Sequence, residues 1–266
     1  MNVRRLAILL FTAILLAGCA TVPLTGRRQL SLVSDSEMVA LGAQSYEQFL
    51  KESNLSEDAR ETKMVRDVGN RISLSAEDFM REHGMEKDLE HYRWEYSLIE
   101  ADTVVNAFCM PGGKIGVYSG ILPLAQSENG LAVVMGHEVA HAIAKHGNER
   151  MSQLLLAQLG GIALSKAVEE QPEKTRQLAL AAYGIGAQVG VLLPYSRQHE
   201  SEADRIGLIL MARAGYDPRE AVPFWQRMNQ QGGARPPEFL STHPAPERRI
   251  KDIRNHLAEA LEYYRH

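Results

Sequence analysis

Two histidines four residues apart flank a glutamate in His137-Glu138-Val139-Ala140-His141. On a helix that spacing puts both imidazoles on one face, close enough to share a metal ion, with Glu138 beside them. Zinc takes neutral imidazoles and anionic oxygens or sulfurs in a tetrahedron, and a catalytic site keeps one position for water. Glu138 is placed to take a proton from that water, so the chemistry on offer is metal-assisted hydrolysis.

A third protein ligand has to come from elsewhere. One known arrangement puts another His six residues after the second, with a Gly midway; those positions here are Gly147 and Ala144, which excludes it. His146 is out of phase with the ligand pair and reads as a neighbour of the site or a surface residue. The alternative is a carboxylate from a later helix, giving a His₂Glu zinc site. Gln198-His199-Glu200-Ser201-Glu202-Ala203-Asp204-Arg205 offers one. Glu200 and Asp204 are four apart and share a helix face. Glu200 is therefore the leading third ligand, and Asp204 a candidate acceptor for the free ring nitrogen of a ligating His, a contact that fixes the tautomer and raises its basicity. Glu202 points elsewhere and suits a solvated face.

The elements that must position these groups are legible in outline. Residues 35–51 and 56–83 repeat apolar residues at helical spacing. Residues 93–99 alternate Trp94, Tyr96 and Leu98 in the rhythm of a half-buried strand. Residues 103–110 and 114–118 read as further strands joined by a Pro111-Gly112-Gly113 turn, which predicts a short, mainly antiparallel sheet ahead of the active helix. Ser127 is a plausible N-cap for that helix, Glu128 suits its positive end, and Gly147 is the expected stop. Residues 154–168 and 178–193 are apolar but short and interrupted, so packed helices are expected there in place of membrane spans. Further helices are predicted over 196–214, 223–231 and 247–264. The fold class is α+β, mostly helical, with the short sheet beside the catalytic helix.

The N-terminus reads as an export signal: Arg4 and Arg5 precede an apolar run of 12 residues, right for a signal core and short for a span. The run ends in Leu16-Ala17-Gly18-Cys19, which resembles a bacterial lipobox. The domain plan is then a signal peptide over 1–18, a tether over 19–34 lipidated at Cys19, and one metallopeptidase domain over 35–266. Ala20 follows the cysteine where Asp would suggest inner-membrane retention, so the expected place is an outer membrane facing the periplasm. With Cys19 lipidated, Cys109 is the sole other cysteine and no internal disulfide is expected. A hydrophobic content of 45% and a charged content of 23% argue against disorder. The net charge is −4, and no dense basic block lies outside the N-terminal segment, which argues against nucleic-acid binding.

The combination resembles the zinc metallopeptidase family that includes HtpX, the CaaX prenyl endopeptidases and the periplasmic proteases BepA and LoiP. The residues that carry the resemblance run along nearly the whole mature chain. They are the His137–His141 segment, Glu200-Ser201-Glu202-Ala203-Asp204, Asn106-Ala107-Phe108 with Pro111-Gly112-Gly113 and Val117-Tyr118-Ser119-Gly120, and Ser241-Thr242-His243-Pro244 with Arg249. Pro23-Leu24-Thr25-Gly26-Arg27-Arg28 is similar to the start of the lipoprotein members, so the branch implied is that of BepA and LoiP. The resemblance implies a zincin-type (gluzincin) fold, one Zn²⁺ on His137, His141 and Glu200, and Glu138 as general base of an endopeptidase. It also implies that His243 sits near the metal, as a fourth ligand blocking the water position or as an aid to the reacting carbonyl. Unfolded or misassembled envelope proteins are the implied substrates, and the lipidated terminus the implied membrane attachment. The alternative reading is an envelope chaperone or assembly factor with a latent metal site.

Overall fold

The computed structural model describes residues 19–187, 193–231, 238–243 and 247–264. The expected signal segment 1–18 lies outside them, as do Pro244 and parts of the loops around it. The chain divides into two compact units, 1–34 with 146–199 and 35–145 with 200–266.

In the second unit, α1 (Asp35–Glu52) and α2 (Ala59–Glu82) precede the sheet. Asp58 caps α2, its carboxylate accepting from the N–H groups of Arg60 and Glu61. Val65, Val68, Ile72, Ala76 and Phe79 then form a buried stripe at helical spacing. A one-turn helix, α3 (Glu86–Leu89), leads into strands β3 (Glu95–Ile99), β4 (Ala107–Met110) and β5 (Lys114–Tyr118).

The sheet order is β3-β5-β4, with β5 antiparallel to β4 and parallel to β3. The expected sheet is therefore present, but it is mixed. The physical reason is the tight turn after β4: Gly112 and Gly113 both take positive φ, 84° and 86°, which returns the chain alongside β4 and leaves β5 in the middle. The other edge of β5 then accepts β3, which runs the same way. Tyr46 of α1 ties the layers together, its hydroxyl donating to the Ile115 carbonyl at 3.1 Å and lying 2.8 Å from Ser97 Oγ.

After a 3₁₀ turn and the short α4 (Leu122–Ala125), α5 (Glu128–Ile143) carries the histidine pair. Ser127 Oγ accepts from the Gly130 N–H at 3.2 Å, so the predicted cap is present. The predicted stop moves: α5 ends at Ile143, and Lys145, at φ 58°, makes the left-handed turn. Lys145 can hold that conformation because its ammonium is anchored by Asp35 at 2.7 Å and Asp88 at 2.9 Å. Gly147 lies inside the following helix. Helix α5 is buried nearly all round, between α2 and β4. The later part of α8 (Leu193–Arg213), then α9 (Ala221–Gln230), α10 (Glu238–Thr242) and α11 (Glu247–Leu261), complete this unit.

In the first unit, residues 19–34 are not a plain extended tether. Strands β1 (Cys19–Thr21) and β2 (Arg28–Leu30) pair antiparallel around a turn in which Leu24 and Gly26 take positive φ. The unit also holds α6 (His146–Ala167) and α7 (Glu173–Ala187). Its polar centre is Glu149, which receives both terminal nitrogens of Arg27, at 2.9 and 2.7 Å, and lies 2.8 Å from His199 Nε2. His146 stacks on His199 with ring centroids 4.4 Å apart. Leu159 and Ile162 of α6 are exposed. Among the described residues, no helix is long and apolar enough to cross a membrane.

Candidate metal centre

Helix α5 points His137 and His141 to one side, and α8 brings Glu200 opposite them. The two Nε2 atoms of the histidines lie 3.1 Å apart. Glu200 Oε2 is 3.3 Å from His137 Nε2, and Glu200 Oε1 is 3.3 Å from His141 Nε2. His243, from the end of α10, joins them, its Nδ1 2.9 Å from Glu200 Oε1 and 3.3 Å from His137 Nε2. All four residues offer a donor atom within 4.8 Å of the others.

These distances suit a small cation. Bonds of about 2.0 Å to a tetrahedral ion place its ligand atoms about 3.3 Å apart, edge to edge. The donor set is also hard to satisfy internally, since three imidazole nitrogens face one another around a single carboxylate. Glu138 Oε1 is buried with no hydrogen-bond partner among the described residues, and His243 Nε2 lies 3.5 Å from it.

Behind the donors sits a second layer. Asp204 Oδ1 is 3.1 Å from His137 Nδ1, the nitrogen turned away from the cluster. Arg249, on α11, donates from Nε and Nη2 to the two oxygens of Asp204 at 2.6 and 2.8 Å, and its Nη1 lies 2.8 Å from Glu200 Oε2. The guanidinium lies 3.9 Å from the centre of the Trp225 ring, which desolvates it. Nη1 also donates to the His243 carbonyl at 3.2 Å, tying the loop that carries His243 to the third-ligand helix.

Burial sets the ionisation of the group. It pushes the Glu138 carboxyl up, against the opposing pull of His243 and His137. Glu200 is held well below the usual carboxylate range: burial would raise it, but His141, Arg249 and His137 outweigh that. Asp204 is likewise lowered, mainly by Arg249 against its burial. For His137, burial and Arg249 push down while Asp204 and Glu200 push up, and the imidazole ends at about 9.

The structure thus brings together every residue singled out for this centre: His137, Glu138, His141, Glu200, Asp204 and His243. The clustered donors do not include His146, which stacks on His199 within the first unit. What residue reasoning missed is the organising position of Arg249. Its signal in the sequence was only a place six residues after His243 in a C-terminal motif, with nothing to say that it clasps Asp204 and Glu200. Cys109 is a free thiol on β4, raised well above its ordinary range by burial.

The model of Peptidase family M48 matches residues 70–257, spanning the sheet, both ligand helices and Arg249. The chain belongs to that family. Its relatives include the mitochondrial metalloendopeptidase OMA1 of Saccharomyces cerevisiae, 37% identical over 183 residues, which is 66% of this chain and 50% of that protein. The mitochondrial metalloendopeptidase OMA1 of Homo sapiens is 29% identical over 265 residues, 96% of this chain and 49% of that protein. The beta-barrel assembly-enhancing protease of Escherichia coli is 33% identical over 171 residues, 61% of this chain and 34% of that protein. The chain spans about half the length of the OMA1 proteins it matches. The expected enzyme class agrees with the family's name and with the names of these relatives, two metalloendopeptidases and a protease. The expected address does not: the mitochondrial OMA1 proteases among these relatives overturn an outer membrane facing a periplasm. The lipobox-like segment that suggested it is a short local pattern, whereas the likeness to those proteases extends over most of the chain.

Proposed function

We propose that this chain is a zinc-dependent endopeptidase whose metal is held by His137, His141 and Glu200. The observation that carries the reading is the donor cluster itself, with edges of 3.1 to 3.3 Å, close to the roughly 3.3 Å of tetrahedral zinc. Zinc, when bound, supplies Lewis acidity that polarises a carbonyl and acidifies water. Glu138 takes the proton from the attacking water and passes it to the leaving amine; its buried, raised carboxyl suits that shuttle. Asp204 orients His137 through Nδ1, and Arg249 neutralises the carboxylates behind the metal.

The substrate is an extended stretch of unfolded or misassembled polypeptide. Among the described residues β4 is an edge strand, and it packs on the catalytic helix, so its outer side offers backbone groups for strand addition beside that helix. Recognition through backbone favours chains that have lost their fold over any single sequence.

A second reading, a chaperone-like factor with a latent centre, draws on His243. Its Nδ1 stands in the cluster, and a metal closed by four protein donors has no open position. Purified protein incubated with casein separates the two. Cleavage that stops with a chelator and returns with zinc supports the peptidase; cleavage indifferent to the chelator defeats it. Binding of casein without cleavage, relieved by His243→Ala, supports latency.

A further inference from the structure

Helix α5 supplies His137 and His141, and α8 supplies Glu200, so the span between ligands depends on how closely two helix backbones approach. At their crossing each helix has a glycine. Gly136 directly precedes His137, while Gly207 follows Asp204 by three residues and Glu200 by seven, on the same face of α8. A Cβ on Gly207 would lie 2.9 Å from the His137 backbone nitrogen and 3.0 Å from Gly136 C and O. A Cβ on Gly136 would lie 2.9 Å from the Gly207 carbonyl oxygen. Every crowded neighbour is backbone, so no side chain can swing aside. Glycine is a poor helix former, and two of them facing each other inside helices call for a reason.

We propose that the Gly136–Gly207 contact is a positioning device that sets the bite of the metal centre. Ordinary Cβ contacts are 3.4–4 Å, so an added methyl on either residue would push the helices apart by several tenths of an ångström. Metal sites tolerate ligand displacements of only about 0.2 Å. The separated helices would leave Glu200 too far from His137 and His141 to close the site, even with every ligand present. The inference rests on the metal-centre reading and adds to it two residues that touch neither metal nor substrate.

The test compares metal-free wild type with Gly207→Ala, Gly136→Ala and the control Gly69→Ala. An added Cβ at Gly69 meets side chains, the Tyr96 ring and the tip of Met135, the residue before Gly136, and no helix backbone is among its three nearest neighbours. Zn²⁺ affinity is read by competition with a chromophoric chelator, the Co²⁺ visible spectrum reports coordination geometry, and thermal melts report stability. Gly207→Ala and Gly136→Ala are expected to lose about 10- to 100-fold in affinity, as for loss of groups that orient ligands, and to shift the Co²⁺ bands. Gly69→Ala is expected to melt earlier with affinity and spectrum unchanged. Unchanged affinity and spectra in both crossing variants overturn the proposal. So does an equal loss in Gly69→Ala, which would mean general loosening. If both crossing variants fail to fold in the cold with sucrose, the contact is a requirement of the fold and the proposal also falls. Wild type that binds neither ion would overturn the metal-centre reading itself.

Discussion

Asp204 Oδ1 lies 3.1 Å from His137 Nδ1 and 2.8 Å from Arg249 Nη2, so one buried carboxylate serves an imidazole and a guanidinium at once. Asp204→Asn keeps the shape and removes the charge. His137 becomes a weaker donor, and Zn²⁺ affinity is expected to fall about 10- to 100-fold in a competition titration. The variant is also expected to melt earlier, because half of a buried ion pair has been neutralised. Unaltered affinity would show that Asp204 serves Arg249 alone.

The same contacts give the metal-free protein an unusual pH dependence. The His137 imidazole sits at about 9 because Asp204 and Glu200 outweigh burial and Arg249, against about 6.5 in an unfolded chain. A folded value above the unfolded one stabilises fully below about pH 6.5, and that stability is lost as pH rises through 9. Metal must displace this proton, so affinity runs the other way, rising by up to about tenfold per pH unit from this group. Glu200 and Asp204 are held low and stay ionised across the window. Melts and Zn²⁺ titrations at pH 6.5, 7.5 and 8.5 should show opposite slopes. Parallel slopes would place the proton elsewhere.

Much of this was legible because helix geometry converts spacing into facing. Four-residue intervals put His137 with His141 and Glu200 with Asp204, and the structure brings the two pairs together. The strand alternation around Trp94, Tyr96 and Leu98 gave β3, and Pro111-Gly112-Gly113 gave the β4–β5 turn. What spacing does not encode is the partner across space. Nothing local says that β3 joins β5 in parallel, or that Arg249 reaches Asp204 45 residues away. The stop of α5 was misplaced because a glycine is the usual signal, whereas here Lys145 takes the left-handed turn, held by Asp35 and Asp88. The Gly136–Gly207 approach was equally hidden, since a glycine in a sequence does not name what it lets near.

In the first unit, Arg27 holds the β1–β2 hairpin to α6 through both oxygens of Glu149. Leu32 adds a backbone N–H to Ser152 Oγ at 2.8 Å, and Asn148 donates to the Val33 carbonyl at 2.8 Å. Arg27→Ala leaves a buried carboxylate, with His199 as its remaining partner in the ion pair, and is expected to cost about 3 kcal/mol. The two units need not open together, so a single melting temperature is the wrong readout. Hydrogen exchange should quicken over residues 19–34 and 146–160 while the α5 amides keep their protection. Uniform quickening would mean that the hairpin supports the whole chain.

Glu138→Gln separates metal binding from the chemistry. The amide is nearly isosteric and Glu138 is not among the clustered donors, so Zn²⁺ affinity should stay within about twofold. It cannot accept the proton of the attacking water, and casein cleavage should drop by about 10²- to 10⁴-fold, the usual worth of a general base. Its neutral side chain also removes the buried charge that burial disfavours, so the melting temperature should hold or rise. A variant that loses both zinc and activity would make Glu138 part of the donor set. One that keeps full activity would assign the proton transfer to another group, and His243, whose Nε2 lies 3.5 Å from Glu138 Oε1, is placed for it.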